Sequence, residues 1–218
     1  MANHPLLLGH RGLRRDRSVP ENTLAAFDLA LAEGCDGFEL DVRLSHDGHA
    51  VICHDPKTRR GEIASCSAHS LRLPLLQEIL QRYRRSAFLD IELKVAGLEA
   101  ITAALLRRYP PARGFVVSSF LPECLLTLGK LDSSIPLGLI CENEDQLKRW
   151  PKLPMKYVMP HHKLVRPALI EKIKSAEKKI VVWTVNHAAE MKRFSRWGVN
   201  GLISDNPRKL IHTVGRTN

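Results

Sequence analysis

The sequence predicts a closed (β/α)8 barrel of the TIM type, a single domain over residues 1–218 with a shortened insertion after the second strand. Short aliphatic runs alternate with amphipathic helical runs along the whole chain, the pattern of parallel strands joined by crossover helices. Eight such units can be counted in the sequence, which favours closure over an open sheet. No Ser/Gly-rich linker or low-complexity tract divides them, so one core serves the chain. A chain of 218 residues is short for a barrel, which typically has ~250, so its loops must be trimmed.

The elements follow in order. Leu6–Leu8 is the first strand, and Asn22 is the expected N-cap of helix Thr23–Glu33. Phe38–Leu44 is the second strand; Ala50–Cys53 returns beside it across the turn His46-Asp47-Gly48 as an extra hairpin strand. Helix Leu75–Tyr83, strand Phe88–Val95, helix Leu98–Arg108 and strand Phe115–Ser118 come next. Helix Glu123–Leu131, strand Leu137–Cys141, helix Glu144–Trp150 and strand Tyr157–Met159 continue the alternation. Helix Pro167–Lys178, strand Ile180–Val185, helix Ala188–Trp197, strand Gly201–Ser204 and helix Pro207–Val214 complete it.

Composition excludes several classes. Hydrophobic content of 44% and charged content of 26% are those of an ordinary soluble domain. MANHPLLLGHRG lacks the basic n-region and long apolar core of a secretory signal, and no apolar run is long enough for a membrane span. The expected location is cytoplasmic. Cys35, Cys53, Cys66, Cys124 and Cys141 form no C-x-x-C pair, so neither a zinc site nor a disulfide framework is expected. The net charge of +10 is spread among small clusters such as Arg14-Arg15-Asp16-Arg17, Arg84-Arg85, Arg107-Arg108 and Lys178-Lys179. No aromatic stripe accompanies them, so no nucleic-acid partner is expected; a positive field that draws in an anionic small molecule accounts for the charge. Nothing in the sequence specifies an oligomeric state.

The chemistry-bearing residues sit at strand ends. Glu39 and Asp41, two apart on a strand, share one face, while Phe38, Leu40 and Val42 take the other. Inside a barrel two such carboxylates repel unless a cation offsets them, and an all-oxygen set favours Mg²⁺ or Ca²⁺. On a solvated edge they would simply pair with arginines. FLDIELKV repeats the pattern with Asp90, Glu92 and Lys94 on one face. Glu92 is a third candidate ligand, Lys94 a cation for a substrate anion, and the deeper Asp90 a supporting group. His10 and His54, alone, would each be ordinary structural histidines; at strand ends beside the acidic pair they form a candidate acid–base couple. Arg11 can fork onto a phosphate, and Asp55 can orient an imidazole. His161 and His162 mark another strand end, as a substrate-side wall or as nothing functional.

The series HRG at His10–Gly12, PENT at Pro20–Thr23, GFELDV at Gly37–Val42 and HD at His54-Asp55 resembles the glycerophosphodiester phosphodiesterases. IELK at Ile91–Lys94, VVSSF at Val116–Phe120, VWTVN at Val182–Asn186 and GLISDNP at Gly201–Pro207 continue the likeness in order. The resemblance implies a barrel enzyme that hydrolyses small glycerophosphodiesters to an alcohol and glycerol 3-phosphate. It implies Glu39, Asp41 and Glu92 as ligands of a divalent cation and His10 and His54 as the catalytic pair. Arg11 and Lys94 would contact phosphate, and Trp183 would wall the glycerol pocket. The basic segment after His54-Asp55 is more compact than the family's, so its lid is altered. Two alternatives remain: a phospholipase D-type hydrolysis or cyclisation of lysophospholipids, and a non-catalytic phosphate or nucleic-acid binder.

Overall fold

The computed structural model describes residues 4–14 and 18–215; Arg15, Asp16 and Arg17 of the first basic cluster lie outside them. β1 (Leu6–Gly9) leads through α1 (Leu24–Ala32) to β2 (Gly37–Leu44), and β3 (Ala50–Ile52) returns antiparallel to it. The insertion consists of a small hairpin, β4 (Lys57–Thr58) and β5 (Gly61–Glu62), and the one-turn helix α2 (Ala68–Leu71). Then come α3 (Leu76–Tyr83), β6 (Phe88–Leu93), α4 (Glu99–Arg108), β7 (Phe115–Ser119), α5 (Pro122–Leu131) and β8 (Leu137–Cys141). The chain finishes with α6 (Glu144–Leu147), β9 (Tyr157–Pro160), α7 (Pro167–Ser175), β10 (Lys179–Val182), α8 (Ala188–Arg196), β11 (Gly201–Ser204) and α9 (Pro207–Val214).

Strand pairing closes the barrel. β1 pairs in parallel with both β2 and β11, and the ring runs β2–β6–β7–β8–β9–β10–β11 between them. Eight parallel strands therefore enclose an interior, with β3 appended to β2. Side chains alternate between two apolar layers. Leu8, Phe88, Val116, Ile140, Met159 and Ile203 pack inside. Phe38, Leu40, Val42, Leu89 and Ile91 face the helices, where Phe27 stacks on Phe38 at 4.2 Å and Tyr83 meets Phe38 edge-on at 5.0 Å. Gly37 is required where β2 meets β6, because a Cβ there would fall onto the Phe88 carbonyl.

Several sequence expectations shift: the strand expected over Ile180–Val185 ends at Val182, and the helix expected over Pro167–Lys178 ends at Ser175. The N-cap of α1 is Thr23, whose hydroxyl accepts from the Ala26 N–H at 3.3 Å. Asn22 instead turns inward with a positive φ of 57°. The expected helix through Trp150 stops at Leu147 and gives way to a 3-10 turn at Trp150–Lys152, since Pro151 disfavours helical geometry in the residue before it. Among the described residues no helix is long and apolar enough to cross a membrane.

Candidate active site

The site is built on the register of β2 against β6. Glu39 sits opposite Asp90 and Asp41 opposite Glu92, and all four carboxylates are buried on the barrel's inner face. Oxygens of Glu39, Asp41 and Glu92 lie within 4.8 Å of one another. Such crowding is costly in a low-dielectric interior. Burial, reinforced by Asp41, Glu92 and Asp90, pushes Glu39 well above the usual carboxylate range. Burial and Asp41 likewise push Glu92 up to about 7. Burial also lifts Asp90 to about 7, against the Ser118 hydroxyl that donates to it at 2.6 Å. Asp41 differs: burial would raise it, but Lys94, Arg11 and Asn22 together hold it below its ordinary value.

Both predicted cations reach this cluster. Lys94 Nζ lies 2.7 Å from Glu92 and 3.3 Å from Asp41. Arg11 places Nε 3.1 Å from Asp41 and donates its backbone N–H to Glu39 at 2.9 Å. Both also line the cavity, so each can face a substrate oxygen while it balances a carboxylate. The HRG turn makes this geometry. Arg11 and Gly12 both have positive φ, and a Cβ on Gly12 would meet the backbone at Ala26, so only glycine fits there. The PENT segment then braces the turn. Glu21 accepts from Arg11 at 2.7 Å and from Arg14 at 2.8 Å. Asn22 donates to Asp41 at 2.7 Å and accepts its backbone N–H at 3.2 Å.

The two histidines stand above the carboxylates, each tied to its own aspartate. His10 follows β1 and pairs through Nδ1 with Asp205 at 2.6 Å. His54 follows β3 and pairs through Nδ1 with the adjacent Asp55 at 2.7 Å. Burial lowers the His10 pKa, and the pull of Asp205 in the other direction does not overcome it. Asp205 is in turn held well below its usual value by His10 and Asn186, which outweigh its burial. Asn186 Nδ2 donates to Asp205 at 2.7 Å. In this arrangement Nδ1 of His10 carries the proton, and its Nε2 faces Glu39 at 3.8 Å.

His10, Arg11, Glu39, His54, Glu92 and Lys94 all line one cavity of about 290 Å³ at the carboxyl ends of the strands, where barrel enzymes place their chemistry. Its opposite wall is apolar and includes Phe120, Ile140, Met159 and Trp183. Trp183 stands edge-on to Phe120 at 5.6 Å and fixes its indole by donating to the Met159 carbonyl at 2.8 Å. Of the site residues expected from the sequence, His10, Arg11, Glu39, His54, Glu92, Lys94 and Trp183 line this cavity, and the fully buried Asp41 joins Glu39 and Glu92 without lining it. The sequence reading missed Asp205, Glu21 and Asn186, which orient the others, and Glu142, which lies at the rim. Position in SDNP and PENT was the available signal for the first two.

The model of the glycerophosphoryl diester phosphodiesterase family matches residues 10–101 and 91–209. Fold and site thus define a phosphoric diester hydrolase. The chain belongs to the glycerophosphoryl diester phosphodiesterase family. A glycerophosphodiester phosphodiesterase of Caldanaerobacter subterraneus is 29% identical over 238 residues, covering 96% of this chain and 97% of its own. A phosphodiesterase of Oleispira antarctica, solved with the product sn-glycerol-3-phosphate, superposes with a TM-score of 0.86 at 26% identity over 98% of each chain. A glycerophosphodiester phosphodiesterase of Agrobacterium tumefaciens gives 0.83 at 27% identity, over 95% of this chain and 99% of that one.

Proposed function

We propose that the protein hydrolyses glycerophosphodiesters to an alcohol and glycerol 3-phosphate, with His10 and His54 as general acid and base and with a divalent cation held by Glu39, Asp41 and Glu92. The observation that carries this reading is the meeting of two aspartate-tethered imidazoles above a buried carboxylate triad in one cavity.

The triad fits a hard cation. All its donors are carboxylate oxygens, and Glu39 Oε1 is buried without a hydrogen-bond partner, a cost that a bound ion removes. Mg²⁺ and Ca²⁺ suit such a donor set better than zinc does. Once bound, the ion would supply positive charge beside the phosphoryl oxygens.

The chain's own groups account for the remaining steps. One imidazole takes a proton from the attacking oxygen, either the neighbouring glycerol hydroxyl or water. The other gives a proton to the departing alkoxide. Asp205 and Asp55 hold the rings with Nε2 free for these transfers. Arg11 and Lys94 offset charge on the phosphoryl oxygens, a large share of catalysis in such reactions. Trp183 and Phe120 form the apolar side of the cavity and limit water near the phosphoryl group.

The test is a hydrolysis panel with chelator-treated protein. Glycerophosphocholine, glycerophosphoethanolamine, glycerophosphoglycerol and lysophosphatidylcholine are each supplied with Mg²⁺ or Ca²⁺. Glycerol 3-phosphate should appear from the first three only after a cation is restored. Release of choline or a cyclic phosphate from the lysolipid alone would instead select the phospholipase D-type reaction. No turnover of any substrate with either ion would reject the function.

A further inference from the structure

The two walls of the cavity come from opposite sides of the barrel. In the closed ring β8 is the fifth strand counted from β1, so Glu142, just past β8, faces His10 and Arg11, just past β1. Arg11, Lys94 and the carboxylate triad occupy the near side. On the far side the lining is apolar or aromatic, with Glu142 as its one charged member among the described residues. The Glu142 carboxylate is exposed and makes no hydrogen bond or ion pair with any described residue. His161 stands edge-on to Trp183 at 5.2 Å. Glu142 therefore shares the cavity with Phe120 and Trp183, and His161 packs on Trp183 outside the lining.

We propose that this lip is the head-group subsite and that it selects an alkylammonium head group, with Glu142 as the counter-anion and the rings beside it as the wall. The inference rests on the glycerophosphodiesterase reading above and names the substrate class within it.

Three features favour a cation over a polyol. The Trp183 N–H is already donated to Met159, so the indole offers its π surface and no donor to a hydroxyl group. Ring faces with a carboxylate nearby are what an alkylated ammonium needs. The Lys94 ammonium sits 5.8 Å from the Phe120 centroid, which leaves the Trp183 end of the wall to the substrate's ammonium. Arg11 and Lys94 also repel a substrate's cationic end while attracting its phosphate. A zwitterionic diester is thereby oriented with the phosphate at the triad and the ammonium toward Glu142.

The test is the ratio of kcat/KM for glycerophosphocholine to that for glycerophosphoglycerol. Wild type should favour the choline ester. Glu142→Gln should lower the ratio about fivefold and Glu142→Lys about tenfold or more, chiefly through KM, while Glu142→Asp retains most of it. A ratio unmoved by Glu142→Lys, or a wild-type preference for the glycerol ester, overturns the subsite while leaving the hydrolase reading intact. Binding is measured separately by titrating choline chloride into the protein and following the Trp183 indole N–H by NMR, with the signal assigned by its loss in Trp183→Phe. The resonance should shift in wild type and stay fixed in Glu142→Lys. An unmoved wild-type resonance also overturns the subsite, whatever the turnover assays give.

Discussion

His10 and Asp205 are hydrogen-bonded at 2.6 Å across 195 residues of sequence, which joins the first strand end to the last. The contact fixes both the tautomer and the tilt of the imidazole. Asp205→Asn replaces an acceptor held ionised with a neutral amide. Since Asp205 raises the His10 pKa against burial, its loss lets that pKa fall further. Whichever limb of the pH–rate profile His10 sets should therefore move to lower pH, and kcat should drop about 10²–10⁴-fold. Movement of the acid limb identifies His10 as the base, and movement of the alkaline limb identifies it as the acid. A profile and kcat like those of wild type would remove the pair from the mechanism.

Asn22 and Thr23 are neighbours with separable jobs. Thr23 caps α1, so Thr23→Ala should cost about 1 kcal/mol of stability and leave turnover near wild type. Asn22 is buried and makes two hydrogen bonds to Asp41. Asn22→Ala should weaken divalent-cation activation about 10–100-fold and destabilise by about 1–3 kcal/mol. Thermal melts and cation titrations of the two variants separate the roles. Equal activation constants in both would refute the division.

The same pair marks the limit of what the sequence discloses. Asn and Thr are both good N-caps, so the local pattern alone does not say which one caps. The tertiary position of Asp41 decides it. Period-two alternation is a local signal, and it placed Glu39, Asp41 and Glu92 on the inner face and Phe38, Leu40 and Ile91 against the helices, as found. His10 and His54 were legible from their strand ends. Asp205 also follows a strand, in SDNP, but its pairing with His10 comes only from barrel closure, which brings β11 beside β1. Glu142 was hidden for another reason: an exposed glutamate after a strand is commonplace until the opposite wall is known.

Arg43 holds the loop that carries His54, the second histidine of the proposed acid–base pair. Its Nε donates to the His54 carbonyl at 2.7 Å, anchoring a loop whose imidazole is about one-third exposed, at 34%. Arg43→Ala should lower kcat about 10–100-fold with little change in KM, because a displaced acid or base impairs chemistry more than binding. Arg43→Lys, which retains a donor, should recover part of the loss. Equal kcat in wild type and Arg43→Ala would show that the loop holds itself in place.

Glu39 tests the cation site without an activity assay. In the ion-free protein this carboxylate is opposed by burial and by Asp41 and Glu92, so Glu39→Gln relieves repulsion and should leave the ion-free Tm equal to wild type or higher. A ligand present at about 100 times its Kd stabilises the state that binds it by about 2.7 kcal/mol. For a chain of this size that corresponds to a Tm rise of about 5–10 °C. Wild type should show this rise with Mg²⁺ or Ca²⁺, and Glu39→Gln should lose most of it. The variant would then be the more stable protein without the ion and the less stable one with it. Equal increments in the two proteins would place the ion elsewhere. No increment in either would show that the triad does not hold one, and that Arg11 and Lys94 carry the whole of its charge balance.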